Sequence, residues 1–352
     1  MDNKTIQQAV KDHLPFTCML NELIKSLLDA KNIKYHVVES RTKEVESLKE
    51  KIERKKIKDF TKEIHDITGV RVILYYQTDL DIVEELISKN FTIDYENSIN
   101  KENLFQSNEF GYLSRHFIIK INKERKKLLE WKRFSDLKAE IQVRTVLQHS
   151  WASISHELSY KKNYDIPKEL SRKLFRLAGL FELADEQFLE IRREHEALLD
   201  QLNKMSSTEL SKEEINQLTL RHNLSLPSGV FHNIKESAER SGFIKSDFYD
   251  FDIREDRSLS SVKYACNLLG INTIGQLEKM LSDSMADIEK LFKELILGND
   301  SDWHGNIDFY LLLAVLLNLD EKQLTQVNKT LKWDKEIWTH VYKTIKKLKN
   351  QI

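Results

Sequence analysis

Residues 139–161, AEIQVRTVLQHSWASISHELSYK, carry the pattern that decides the fold of this chain. Glu140, Gln142 and Arg144 alternate with apolar residues, so a strand would place the three polar side chains on one face and the apolar ones in a core. The spacing then changes to intervals of three and four, which predicts a helix with a buried stripe that includes Ile154. A carboxylate, an amide and a guanidinium on one strand face predict a functional site beside this strand.

Other β-rich runs predict that this strand belongs to a sheet. The four runs are residues 35–38, 70–76, 117–121 and 137–143. Helical spacing over residues 4–31 and 45–57 predicts helices before and between them. Because strands and helices are interleaved, the fold class is α/β (α+β), a mixed β-sheet flanked by helices.

The second half of the chain has helical spacing only. It begins after Pro167 with an apolar stripe that includes Leu177, Phe188 and Ile191. The polar, serine-containing run 205–214 then predicts a domain boundary. We therefore expect a first domain at residues 1–204 and an all-helical domain of unknown role at residues 205–352.

Composition excludes several classes of protein. The 352 residues carry a formal net charge of -1, which argues against bulk attraction to nucleic acid or membranes. No run of 18 apolar residues occurs, so we expect a cytoplasmic protein without a membrane partner. Cys18 and Cys266 lack the spacing of a zinc site. No glycine-rich phosphate loop is present, so any nucleotide must be held by side chains.

Two carboxylates are candidates for a metal site. Asp66 precedes a predicted central strand, and Glu140 lies in another. Carboxylates from neighbouring strands form the oxygen-rich site that Mg²⁺ prefers, with phosphates and water completing the octahedron. The alternative is a surface aspartate and an unrelated glutamate.

A cationic segment follows the first predicted strand. Arg41 precedes Lys43, Ser47 and Lys51, whose spacing of four places the last three on one helix face, where they could grip a polyphosphate. The alternative is a solvated charged helix, since glutamates interleave with the bases.

A third segment, residues 110–116, joins a glycine turn to Tyr112, Ser114 and His116. In an extended run these three side chains share a face, and the tyrosine could stack on a base. The alternative is a hairpin whose tyrosine covers the core.

Taken in order, four motifs resemble the synthetase domain of RelA/SpoT-type alarmone synthetases, and specifically small members with a synthetase domain only. The motifs are R-x-K-x3-S-x3-K, D-x2-G-x-R, G-Y-x-S-x-H and E-I-Q-x-R-T-x3-H-x-W-A-x3-H-x3-Y-K. The resemblance implies a sheet of nucleotidyltransferase type. It also implies transfer of the β,γ-pyrophosphate of ATP to the 3′-hydroxyl of GDP or GTP, which makes (p)ppGpp in the stringent response.

The resemblance also implies a role for each site residue. Asp66 and Glu140 would hold Mg²⁺, and Glu140 would be the general base. Arg41 and Arg71 would sandwich adenine. The remaining ATP-binding residues would be Lys43, Ser47 and Lys51, and the GDP- or GTP-binding residues would be Tyr112, Ser114, His116, Gln142, Arg144, His149 and Lys161.

Departures from the family pattern leave the acceptor open. Asn108 and Phe110 stand where many members carry a lysine and then an asparagine, and His149 and Ser155 replace a frequent asparagine and glutamate. One alternative is a toxin-type relative that pyrophosphorylates the 3′-CCA end of tRNA. A catalytically inactive regulatory module is another alternative, and a homo-oligomer is also left open.

Overall fold

The structure is a computed structural model that describes residues 3–57, 59, 63–100, 114–160, 168–245, 251–297, 303–331 and 333–350. It divides into two compact units, Met1–Arg193 and Glu194–Ile352. The division falls inside one long helix. The boundary predicted between residues 204 and 205 stays a prediction.

The first unit interleaves helices with the strands of one sheet. In chain order its elements are α1 (Asn3–Asp29), β1 (Tyr35–Thr42), α2 (Val45–Lys55), β2 (Thr68–Leu74), α3 (Thr78–Asn90), β3 (Phe91–Ile93), β4 (Ile99–Asn100), β5 (Arg115–Ile121), α4 (Leu129–Lys132), β6 (Ala139–Thr145), α5 (Val146–Tyr160) and the beginning of α6 (Lys168–Lys204). A short 3₁₀ turn, Arg125–Lys127, precedes α4.

The sheet is mixed, as the sequence predicted. Its strand order is β1-β2-β6-β5-β3, with β4 paired to β5. Strands β2 and β6 are parallel, and the other pairs are antiparallel. The four predicted strands are all present. Strands β3 and β4 were missed because two or three residues are too few to show an alternating pattern.

One face of the sheet carries the core. Phe16 and Leu20 of α1 and Leu80 of α3 are buried in a cluster with apolar side chains of β2, β5 and β6. The helix α5 is confirmed, but its predicted buried stripe is wrong, because Ile154 is 53% exposed. The opposite face of the sheet carries polar side chains of β1, β2 and β6.

The second unit is helical and has its own core. Its elements after α6 are α7 (Ser207–Leu210), α8 (Gln217–Ser225), α9 (Val230–Ser241), β7 (Ile244–Lys245), α10 (Phe251–Leu268), α11 (Ile274–Asp283), α12 (Met285–Leu297), β8 (His304–Gly305), α13 (Ile307–Leu317), α14 (Glu321–Asn328) and α15 (Lys335–Lys349). The buried apolar cluster of this unit is drawn from residues 215–348, with α13 at its centre.

The all-helical prediction for this half needs one small correction. Strands β7 and β8 form a parallel pair of two residues each. Gly305 in β8 faces the ring of Tyr310, whose hydroxyl donates to the Gly305 carbonyl at 3.0 Å. Across both units, no helix in the described ranges is long and apolar enough to cross a membrane.

Candidate active site

Strand register brings the predicted polar residues onto the open face of the sheet. Arg71 lies opposite Gln142 on β6 and opposite Glu39 on β1. Gly69 lies opposite Glu140 on one side and opposite Arg41 on the other. Because side chains alternate along a strand, these groups all project from the same face. Residues separated by up to 103 positions in the chain thus meet in two neighbouring rows.

Asp66 lies just before β2 and is held by two lysines. Lys43 Nζ and Lys51 Nζ each donate to Asp66 Oδ2 at 2.7 Å. Burial by itself would raise the pKa of Asp66, but the two ammonium groups outweigh it and hold the pKa below its usual value. The carboxylate is therefore ionised at neutral pH.

Glu140 is the centre of a second hydrogen-bonded chain. Its Oε1 lies 2.8 Å from His116 Nδ1, and its Oε2 accepts from Gln142 Nε2 at 2.9 Å. The chain continues at both ends, since Ser114 Oγ lies 2.6 Å from His116 Nε2 and Arg144 donates to Gln142 Oε1 at 2.5 Å. Burial favours a higher pKa for Glu140, but His116 and Gln142 outweigh it and lower the pKa.

Two adjoining cavities open at these groups. One, of about 350 Å³, is lined by Glu39, Ser40, Arg41, Asp66, Gly69, Val70, Arg71, Glu140 and Gln142. The other, of about 540 Å³, is lined by Arg41, Thr42, Lys43, Glu44, Ser47, Glu50, Lys51, Arg54 and His156. Arg41 borders both. We call them the carboxylate cavity and the lysine cavity.

The structure therefore joins two groups that the sequence treated separately. Lys43 and Lys51, the predicted phosphate ligands, bind the predicted metal ligand Asp66. Ser47 is in the same cavity as both lysines. Lys43, Ser47 and Lys51 do line one cavity, as their spacing predicted, while the roles of all four residues stay predictions.

Arg144 and His149 are not among the residues that line either cavity. Burial, with a smaller contribution from Arg71, lowers the pKa of Arg144 to about 10, so it stays protonated at neutral pH. Burial also lowers the pKa of His149, with a further contribution from the nearby Arg144. Tyr112 and Lys161 fall outside the described residues.

Sequence reasoning missed Glu39, Ser40, Arg54 and His156. Two of them carried a signal that could have found them. Glu39 lies two residues before Arg41 and hence on the same strand face, and Arg54 lies three residues after Lys51 and hence on the same helix face. His156 is brought to the lysine cavity by the packing of α5, which no local pattern specifies.

The carboxylate cavity has the donors that a hard divalent cation requires. Asp66 Oδ1 is buried and has no hydrogen-bond partner among the described residues, although buried polar atoms are normally paired. Glu140 lines the same cavity. Two carboxylates and open space for phosphate and water oxygens fit Mg²⁺. Within the described ranges, no group of three or more His, Cys, Asp or Glu side chains is arranged to hold a metal ion.

Comparison with known proteins identifies the family and several relatives of this chain. Residues 40–165 match the family described as "Region found in RelA / SpoT proteins". The chain is 32% identical over 196 residues to the GTP pyrophosphokinase YwaC of Bacillus subtilis (strain 168), covering 49% of this chain and 90% of YwaC. It is 31% identical over 165 residues to the GTP pyrophosphokinase YjbM of the same strain, covering 45% of this chain and 72% of YjbM.

Among solved structures, the crystal structure of the small alarmone synthetase 1 from Bacillus subtilis matches with a TM-score of 0.47 and 26% identity, covering 56% of this chain and 100% of that one. The family assignment rests on the sequence relatives, because the chain covers nearly the full length of YwaC at more than 30% identity. The chain belongs to the RelA/SpoT family and is a homologue of the small alarmone synthetases.

Proposed function

We propose that this protein transfers the β,γ-pyrophosphate of ATP to the 3′-hydroxyl of GDP or GTP, forming (p)ppGpp and AMP. The observation that carries the proposal is the pair of carboxylates, Asp66 and Glu140, in one cavity with Arg41 and Arg71. The homology to GTP pyrophosphokinases supports the same reaction class.

The donor would lie across the two cavities. Guanidinium planes stack well on bases, so Arg41 and Arg71 suit the adenine ring. Lys43, Lys51 and Arg54 carry the positive charge that a triphosphate needs, and Ser47 adds a hydroxyl donor. ATP would thus be held by side chains, in agreement with the absence of a glycine-rich loop in the sequence.

Binding of ATP requires an exchange of partners at Asp66. Without substrate, Lys43 and Lys51 neutralise this carboxylate. Phosphate oxygens would draw the two ammonium groups away and free Asp66 for the metal. Mg²⁺ held by Asp66 and Glu140 would neutralise charge on the phosphates. Asp66 would therefore offset one of the two lysine charges while the site is empty.

Transfer itself needs a base for the acceptor. The 3′-oxygen would attack the β-phosphorus of ATP, and the bond from that phosphorus to the α,β-bridging oxygen would break, releasing AMP. Glu140 would take the hydroxyl proton. His116, hydrogen-bonded to Glu140, would orient the carboxylate toward the acceptor.

The test is a transfer assay with matched variants. The purified protein, Mg²⁺ and γ-³²P-labelled ATP are incubated with GDP, GTP or deacylated tRNA, and the labelled products are resolved. We expect the label on a guanine nucleotide. The rate of this transfer should fall at least about a hundredfold in Asp66→Asn and in Glu140→Gln. Glu85→Gln, a change on the exposed surface of α3, is the control.

Each other outcome has a meaning. Label on tRNA would replace the proposal with a toxin-type activity. Full activity in both carboxylate variants would contradict the assigned site. No transfer to any acceptor would favour an inactive regulatory module.

A further inference from the structure

Glu39 is a cavity residue to which the reaction above gives no role. It lies on β1 at the edge of the carboxylate cavity, two residues before Arg41 and opposite Arg71. Its side chain is 51% exposed, and its Oε2 forms an ion pair with Arg71 Nη1 at 3.9 Å that is too long for a hydrogen bond. The carboxylate is thus available to a ligand in the cavity.

The strand defines a direction for a bound nucleotide. Glu39, Arg41 and Lys43 alternate along one face, and the Lys43 amide continues the pairing by donating to the Ile67 carbonyl at 2.8 Å. At about 3.3 Å per residue, Glu39 and Lys43 are separated by roughly 13 Å. This span is comparable to the length of an extended nucleoside triphosphate.

The positions of the cationic side chains indicate where the phosphates and the base of a bound nucleotide lie. Lys43, Lys51 and Arg54 line the lysine cavity and suit the phosphates. Arg41, which borders both cavities, and Arg71, which lines the carboxylate cavity, suit the faces of the base. A nucleotide with its phosphates at Lys43 therefore directs its base toward Glu39.

A carboxylate that meets position 6 of the base discriminates between purines. An ionised carboxylate accepts hydrogen bonds and donates none. The 6-amino group of adenine is a donor, whereas the 6-oxo group of hypoxanthine or guanine is an acceptor. Glu39 would accept a hydrogen bond from the 6-amino group. A 6-oxo group in the same place would instead be repelled by the carboxylate oxygens.

We propose that Glu39 is a specificity-determining residue that accepts a hydrogen bond from the 6-amino group of the donor base. This inference rests on the proposed function. The proposed reaction needs such discrimination because its donor and its acceptor are both purine nucleotides. A guanine nucleotide bound in the position of ATP would block the reaction, and its 6-oxo group would face the Glu39 carboxylate.

Direct binding tests the inference independently of transfer. Isothermal titration calorimetry measures the affinity of the full chain for ATP and for ITP, which differ at position 6, with no acceptor present. We expect the wild type to prefer ATP about tenfold, and Glu39→Gln to bring the ratio of the two affinities close to one, since an amide can pair with either group. Glu50→Gln, which removes a carboxylate from the lysine cavity, should leave the ratio as in the wild type.

Two results would overturn the inference. One is equal affinity of the wild type for ATP and ITP. The other is an equal change for both ligands in Glu39→Gln, which would mean that Glu39 acts only by orienting Arg71. Far-UV circular dichroism checks that the variant is folded. A wild type that prefers ATP but transfers nothing would leave the inference standing while the proposed function fails.

Discussion

At the scale of single residues, the site depends on which group neutralises which carboxylate. Asp66 shares one oxygen between two lysines, while both Glu140 oxygens are bound by neutral or titratable donors. Asp66 Oδ1, which has no hydrogen-bond partner among the described residues, would accept the cation in the proposed function. In the proposed reaction both carboxylates would hold the metal, and Glu140 would also contact the acceptor.

The bond between His116 and Glu140 predicts a change in the pH dependence of activity. His116→Ala removes a donor that lowers the pKa of Glu140, so that pKa rises and the acidic limb of kcat/KM moves to higher pH. We also expect kcat/KM at neutral pH to fall about tenfold to a hundredfold, because the base is less well oriented. Steady-state kinetics across pH measure both effects.

The matched control for this prediction is His116→Gln, which can still donate an N–H to Glu140. It should keep the acidic limb nearer to that of the wild type. An acidic limb in the same place for all three proteins would mean that His116 does not influence the ionisation of Glu140.

At the scale of elements, α1 supports the site from the buried side of the sheet. His13 Nδ1 lies 2.9 Å from Thr68 Oγ1, and Thr17 Oγ1 lies 2.8 Å from the same hydroxyl. Thr42 donates to Thr17 Oγ1 at 2.8 Å. Thr42 stands between Arg41 and Lys43, so this buried network anchors the strand that carries the predicted donor ligands. Residues 3–29 thus contribute to a site whose family match begins only at residue 40.

The same network predicts that stability depends on pH. Burial lowers the pKa of His13 from 6.5 to about 4. Between these values the unfolded chain binds a proton that the folded chain does not, so acid destabilises the fold. From pH 6.5 to pH 5 the wild type should lose about 2 kcal/mol of unfolding free energy through this group. Chemical denaturation at the two pH values measures the loss.

His13→Gln provides the comparison, because a glutamine does not titrate in this range. Between pH 6.5 and pH 5 the variant should lose about 2 kcal/mol less unfolding free energy than the wild type, whatever its stability at pH 7. Equal sensitivity in both proteins would show that His13 can be protonated in the folded state.

Close packing at the start of α11 gives a prediction for the second unit. The Gly275 amide donates to the Ser211 carbonyl at 2.8 Å, and a Cβ on Gly275 would lie 2.8 Å from that same oxygen. Gly275→Ala should therefore force the backbone apart and cost about 2 kcal/mol of unfolding free energy. Lys279→Ala, on the exposed face of the same helix, should change it by less than about 0.5 kcal/mol. A tolerated alanine at 275 would contradict this packing.

At the scale of the whole molecule, the chain consists of two units with separate cores. The family match lies within Met1–Arg193. The core cluster of the second unit uses residues 215–348 only. The helical half can therefore be studied as a structure in its own right.

Separate cores predict that residues 194–352 fold without the first unit. The fragment keeps every member of its buried cluster, so it should show helical circular dichroism and a cooperative thermal transition. Leu312→Asp places a charge in the fully buried part of α13 and should abolish that transition. A fragment that stays unfolded would mean that this core depends on the rest of the chain.

Much of the fold and part of the site could be predicted because they are written in local patterns. The alternation around Glu140 identifies a strand, and the spacing after Pro167 identifies a helix, since both periods follow from backbone geometry. The four short strands β3, β4, β7 and β8 lacked such a pattern. Of the predicted site residues that the structure describes, Arg41, Asp66, Arg71, Glu140 and Gln142 do line one cavity.

The sequence by itself determined the type and order of the longer elements of the first unit and most of the chemically competent residues, because these depend on neighbours along the chain. Tertiary structure alone decided which of those residues meet, since strand register and helix packing join distant positions. It paired Lys43 and Lys51 with Asp66, and it brought His156 to the lysine cavity. It also left Leu177, Phe188 and Ile191 of the apolar stripe on α6 exposed, while Asp185 on the same helix is buried and accepts a hydrogen bond from Thr145. Periodicity shows that a helix has an apolar face, but only packing decides which face is covered.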